Sequence, residues 1–148
     1  MEINIPCKME RTIKEKVRIS IERYAKQENV EEEWSYVIEH FDKHMERIQR
    51  RTPEWPSPIA PPATIIYQAL CGQMRGDREL KEDSTNLLIA AVYYFCYPRD
   101  VIADWSPEDG YFDDAYALNF CLKQIEKTDR RGFYFLERLY KEHLDANR

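Results

Sequence analysis

The feature that most constrains the fold is the apolar run "LLIAAVYYFCY" at residues 87–97. It ends a segment, 78–97, whose polar start and apolar remainder predict the most buried helix of the chain. A run of this length is too short to span a bilayer as a helix, which takes about 20 residues. Because a chain of 148 residues can build a real core, we expect the run in a protein interior and predict no membrane span.

Helical periodicity recurs on both sides of this run. No stretch alternates with the period of two that marks a half-buried strand, and only four glycines are available for turns. We therefore predict an all-α fold, a compact helical bundle of five to seven helices. The other predicted helices lie at residues 9–28, 30–51, 63–75, 111–127 and 130–146.

The predicted organisation is a single domain covering residues 1–148. An N-terminal helix pair occupies 1–51 and a helical core occupies 63–148. Between them, the segment 52–62 contains five prolines, and helix cannot persist there because proline lacks an amide donor and clashes with the preceding turn. We interpret it as an extended connector, with a Pro-rich docking ligand as the alternative.

Charge and cysteine content narrow the class of protein. The net charge is −5, so we expect no nucleic-acid partner, since phosphate neutralisation needs Lys and Arg. The four cysteines, Cys7, Cys71, Cys96 and Cys121, have no CxxC spacing, which disfavours zinc-ribbon and thioredoxin-like sites. With no apolar signal-peptide core near the N-terminus, the expected location is the reducing cytoplasm.

The acid-rich segment "DVIADWSPEDGYFDD", residues 100–114, is the strongest candidate site, with six acidic side chains and no basic one. One interpretation is structural: in an acidic helix-corner-helix at 98–115, each acid caps a helix or lies in its first turn, where the helix dipole favours negative charge. The other is a site for Mg²⁺, Mn²⁺ or Ca²⁺, because converging carboxylate oxygens are the ligands that hard cations prefer. The predicted metal ligands are Asp100, Asp104, Asp113 and Asp114.

The same segment resembles the signature of the YkvA-like family, a bacterial domain of unknown function. The resemblance covers about residues 75–127, and Ala103 departs from the pattern because the family usually has proline there. It implies a small helical domain and brings no established reaction. The matching positions are Pro98, Asp100, Ile102, Asp104, Pro107, Gly110, Asp113, Asp114 and Ala115.

Two functions fit these observations. The first is a non-enzymatic interaction or regulatory module that uses the acidic corner, since a concentrated charge next to exposed aromatic residues steers association. The alternative is a divalent-metal-dependent hydrolase built on the Asp cluster. We identify no catalytic residues, and the chain has no P-loop, GxGxxG or GxSxG motif. The predicted partner-binding residues are Trp105, Glu108, Asp109 and Tyr111.

Two features of the N-terminal helices are weaker candidates. His40 and His44 have the four-residue spacing of paired zinc ligands, but no third ligand is evident, so we interpret them as a structural pair. Trp34 and Phe41 lie on apolar stripes that either form a homodimer interface or are buried inside the monomer.

Overall fold

A computed structural model describes residues 1–5, 9–51, 58–97 and 111–147, without the side chains of Gln49 and Arg51. These ranges contain six α-helices and no strand, which confirms the predicted all-α helical bundle. The helices are α1 (Arg11–Tyr24), α2 (Gln27–Arg51), α3 (Ala60–Met74), α4 (Glu82–Cys96), α5 (Phe112–Thr128) and α6 (Arg130–Ala146).

Helix α3 runs from Ala60 to Met74, so it starts three residues before the predicted position 63 and ends one residue before the predicted position 75. Gly76 has a φ of 110°, in the left-handed region that L side chains rarely adopt. Its amide donates to the carbonyl of Gln73 at 3.1 Å, and the amide of Asp77 donates to that of Gly72 at 3.0 Å. These two bonds satisfy carbonyls of the last turn that the helix leaves open.

Helix α4 begins at Glu82, later than the predicted residue 78. The Gln73 side chain explains the delay, because its Oε1 accepts hydrogen bonds from the amides of Glu79 at 3.2 Å and Leu80 at 3.4 Å. These amides are thereby held by a side chain of α3 instead of entering a helix. The connection between α3 and α4 is therefore a turn with its own polar anchor.

Helix α4 lies at the centre of the core, in contact with α1, α2, α3 and α5, while α6 packs on α3 and α5. Ten of its residues are buried, including every residue from Leu88 to Val92. The apolar run is thus enclosed by other helices, as its composition predicts. None of the helices in the described ranges is long and apolar enough to cross a membrane.

The aromatic residues predicted on the stripes of α2 pack within the chain. Phe41 is buried and stacks on Tyr67 of α3 with ring centroids 4.1 Å apart, and Trp34 lies 5.8 Å from the same ring. The stripe is narrower than the periodicity suggests, since Val37 is fully buried whereas the adjacent Ile38 is 55% exposed. One residue turns the side chain by about 100° around the helix, which carries Ile38 out of the core.

The start of the chain is fastened to α5 by a reciprocal pair of hydrogen bonds. The amide of Ile3 donates to Asn119 Oδ1, and Asn119 Nδ2 donates to the carbonyl of Ile3, both at 2.8 Å. The amide side chain thus pairs with the backbone as a neighbouring strand would. This buries Ile3 against the helical core.

Asp129 joins α4 to α6 from the turn that follows α5. Its Oδ1 accepts from the amide of Gly132 at 3.0 Å and so caps α6. Its Oδ2 accepts from the amide of Lys81 at 2.9 Å and from the Ser84 hydroxyl at 2.8 Å, at the start of α4. Burial raises the pKa of this carboxyl, but these hydrogen bonds outweigh burial and the pKa is lowered from its usual value.

We predict that Asp129→Asn lowers the free energy of unfolding by about 1.5–3 kcal/mol at neutral pH, since charge-assisted hydrogen bonds are lost. Because the folded-state pKa is lowered, the stability that Asp129 contributes is present above the unfolded pKa and is lost as the pH falls through the folded one. The difference between wild type and variant in urea unfolding should therefore shrink in acid. Asp42→Asn, at an exposed position of α2, is the control and should change stability little.

Candidate functional site

Most of the acid-rich segment lies outside the described residues, which resume at position 111. Of the predicted metal ligands, this applies to Asp100 and Asp104. Of the predicted partner-binding residues, it applies to Trp105, Glu108 and Asp109. The described part of the segment is Tyr111, Phe112, Asp113 and Asp114, at the start of α5.

Asp113 and Asp114 are fully buried in the first turn of α5. The position agrees with the structural interpretation of the acids, because the amides of a helix start favour negative charge. Asp113 Oδ2 accepts a hydrogen bond of 2.7 Å from the hydroxyl of Tyr94, in the last turns of α4. The two helices that flank residues 98–110 are therefore joined to each other by a buried polar contact.

Tyr111 is only 2% exposed, so the expectation of an exposed aromatic residue at this position is wrong. Its ring lies 6.2 Å from that of His44, and the His44 ring meets Phe95 edge-on at 4.6 Å. Helix α2 thus covers the junction between α4 and α5 and takes Tyr111 into the core. The local sequence did not reveal this because the covering residues are more than 60 positions away.

The two histidines of α2 occupy different environments. His44 is buried, and burial together with the nearby Arg47 guanidinium lowers its pKa to about 3, so the ring is neutral at physiological pH. His40 is half-buried, stacks on Tyr36 at 3.9 Å, and its Nδ1 lies 2.8 Å from the Tyr36 carbonyl oxygen. Both rings are engaged in packing, which is what the structural interpretation of the pair predicts.

The described residues hold only part of the predicted metal site. Over positions 1–5, 9–51, 58–97 and 111–147, no group of three or more His, Cys, Asp or Glu side chains is arranged to hold a metal ion. Asp113 and Asp114 supply two buried carboxyl groups at one helix start. Divalent cations of the predicted kinds take six or more oxygen ligands, so this pair alone is an incomplete ligand set.

A second polar region, not predicted from the sequence, lies on another side of α4. Four tyrosines form it, and we call them the tyrosine cluster. Tyr93 lies at its middle, with ring centroids 4.9 Å from Tyr24, 5.4 Å from Tyr36 and 5.1 Å from Tyr97. The cluster borders a cavity of about 300 Å³, which is also lined by Arg23, Asn29, Glu32 and Glu33.

Comparison of the chain with protein-family models, curated proteins and solved structures finds no match. The resemblance to the YkvA-like family therefore stays a prediction that depends on the motif of residues 98–115.

Sequence reasoning missed Tyr94, His44 and Glu33 as buried polar groups. For Tyr94 a signal exists, because a tyrosine inside an apolar run must find a partner for its hydroxyl when it is buried. For Glu33 and His44 the signal is helical spacing, since both lie on the apolar face of α2, three or four residues from apolar positions on either side. Their polar side chains argued against burial, but this face packs against α4 and carries both inward.

We predict that Tyr94→Phe lowers the free energy of unfolding by about 1–3 kcal/mol, because Asp113 loses a buried donor while the ring is kept. Urea unfolding followed by circular dichroism measures the change. Tyr134→Phe removes the same hydroxyl from a side chain that is 61% exposed and serves as the control. Equal stabilities for the two variants would contradict a structural role for the contact between Tyr94 and Asp113.

We also predict that His44 makes the fold sensitive to acid. Its pKa is lowered in the folded state, so its contribution is present above the unfolded pKa of 6.5 and is lost as the pH falls towards 3. Relative to His44→Gln, wild type should lose at most about 1.4 kcal/mol of unfolding free energy per pH unit in that range. A difference that stays constant with pH would show that the ring is accessible to protons in the folded protein.

Proposed function

We propose that the protein is a non-enzymatic interaction or regulatory module that acts in the cytoplasm and presents its acid-rich segment to a basic partner. The observation that carries the proposal is the anchoring of both flanking helices. Tyr94 of α4 donates to the buried Asp113 of α5, so the residues between them start and finish at fixed points of the core. A segment presented in this way loses less conformational freedom on binding than a free chain would.

The charge distribution supports the same function. Asp113 and Asp114 are buried and contribute to the fold, which leaves Asp100, Asp104, Glu108 and Asp109 as the acids that a partner would meet. Charge concentrated over ten residues raises association rates with a basic surface, and added salt weakens this effect.

To test this, we would replace these four acids together, as Asp100→Asn, Asp104→Asn, Glu108→Gln and Asp109→Asn. A Lys- and Arg-rich peptide should bind wild type in a salt-dependent manner by fluorescence anisotropy, and the variant about tenfold or more weakly. The control changes the net charge equally at exposed positions elsewhere, as Glu10→Gln, Glu15→Gln, Glu22→Gln and Glu126→Gln. If both variants lose the same affinity, net charge and not the acid-rich segment is responsible, and the proposal fails.

The alternative function, a divalent-metal-dependent hydrolase, is supported by the burial of two adjacent carboxyl groups, Asp113 and Asp114. Carboxylate oxygens are the ligands that hard divalent cations prefer, and Asp100 and Asp104 would complete the ligand set. When bound, the cation would lower the pKa of a water molecule and so supply the nucleophile.

Elemental analysis and thermal unfolding with Mg²⁺, Mn²⁺ or Ca²⁺ separate the two functions. A ligand that binds only the folded state must raise the melting temperature. An increase that disappears in Asp100→Asn with Asp104→Asn would support the hydrolase. No stoichiometric metal, and no shift beyond that produced by NaCl of equal ionic strength, would exclude this metal site.

A further inference from the structure

The cavity beside the tyrosine cluster has the size and the lining of a site for a small ligand. Three helices line it, with Tyr24 from α1, Tyr36 from α2 and Tyr93 from α4. The Tyr24 and Tyr36 rings stand at 89° and 77° to the ring of Tyr93. At about 300 Å³ it is at the lower end of the range for small-molecule sites, so it fits a headgroup or a single side chain.

Glu33 is the second and independent observation. This lining residue is only 6% exposed, and its Oε1 meets no hydrogen-bond donor among the residues that the structure describes. A buried carboxyl oxygen without a donor destabilises the fold, because it has lost its hydrogen bonds to water. A polar group kept at that cost beside a cavity is more readily explained by a ligand than by packing.

The surroundings of Glu33 decide the charge of that ligand. The other charged groups that line the cavity are Arg23 on α1 and Glu32 on α2, so ionised Glu33 gives the lining a net charge of −1. The Arg23 guanidinium is not within 4.0 Å of the Glu33 carboxyl oxygens in the described structure. Three tyrosines also line the cavity, and a cation that lies over the face of a tyrosine ring within about 6 Å is attracted to it.

We propose that this cavity binds an organic ammonium group, with Tyr24, Tyr36 and Tyr93 as the aromatic walls and Glu33 as the counter-ion. An alkylated ammonium matches the lining better than a metal ion does, since two carboxylates, Glu32 and Glu33, are too few ligands for a divalent cation. The proposal does not depend on the function of the acid-rich segment.

The acid–base behaviour of Glu33 is consistent with such a ligand. Burial and, to a smaller extent, the charge of Glu32 raise its pKa from 4.5 to about 8. The carboxyl is thus mostly protonated at neutral pH, and a bound cation would favour its ionised form. The other titratable or charged groups at the site are Arg23 and Tyr24 from α1, Tyr36 from α2 and Tyr93 from α4. Burial raises the pKa of Tyr93 to about 12.

The test compares choline and tetramethylammonium with 3,3-dimethylbutan-1-ol, which has the shape of choline without the charge. Titrations followed by NMR should show saturable shifts of the Tyr24, Tyr36 and Tyr93 ring signals with both cations. The neutral alcohol should bind about tenfold or more weakly, because it lacks the cation–π and ionic contacts. Equal binding of choline and the alcohol, or no saturable shift with either cation, would overturn the proposal.

Two matched variants assign the role of Glu33. Glu33→Gln should weaken choline binding about tenfold or more, whereas Glu31→Gln, at an exposed position of α2 that does not line the cavity, should change it by less than about threefold. Glu33→Gln removes an ionisable group from a buried position and should keep the fold, which thermal unfolding checks. Similar losses in both variants would show a general charge effect and contradict the assigned counter-ion.

The pH dependence provides a further readout. Choline affinity of wild type should rise as the pH increases from about 6 to about 9, because binding requires ionised Glu33. Calorimetry at neutral pH in buffers of different ionisation enthalpy should detect a released proton. Affinity that does not change over this range, or that changes equally in Glu33→Gln, would contradict the proposal.

Discussion

The burial of α4 is the constraint on which the rest of the structure depends. An apolar helix of this kind exposes hydrophobic surface on every side, and at about 25 cal/mol per Å² that surface must be covered. Helices α1, α2, α3 and α5 cover it, and α6 closes the remaining side of α3 and α5. The N-terminal helices are therefore part of the same core as the residues that follow the proline-rich connector, because the buried hydrophobic cluster contains residues from both parts of the chain.

Both polar regions of the protein come from two neighbouring residues of this one helix. Tyr93 and Tyr94 are separated by about 100° of rotation, so their hydroxyls leave α4 in different directions. Tyr94 reaches the start of α5 and holds Asp113, while Tyr93 joins the tyrosine cluster beside Glu33. A helix that is otherwise apolar thus supplies one contact that fixes the fold and one wall of the cavity.

The sequence predicted the fold class and most helix boundaries, because proline, glycine and apolar periodicity are local signals. Gly76 is an example, since its positive φ follows the end of α3 at Met74, one residue before the predicted boundary. The prediction was wrong where tertiary contacts decide the outcome. Gln73 delays the start of α4 through bonds to two amides, and His44 of α2 covers Tyr111, which local reasoning had placed on the surface. For the candidate site, position in the first turn explained Asp113, but its partner Tyr94 and the buried Glu33 depend on how helices face one another.

Helix α2 carries two buried titratable side chains, Glu33 and His44, whose changes in protonation on unfolding have opposite signs. Between pH 4.5 and 6.5, folding keeps both Glu33 and His44 neutral, whereas the unfolded chain ionises the first and protonates the second. On unfolding in this interval, Glu33 therefore releases one proton and His44 takes one up, so these two groups together exchange no net proton with solvent. A cation that ionises Glu33 in the folded state would remove one half of this compensation. The liganded protein would then take up a net proton on unfolding, so the stabilisation that a cation in the tyrosine-lined cavity provides would decline as the pH falls through this interval.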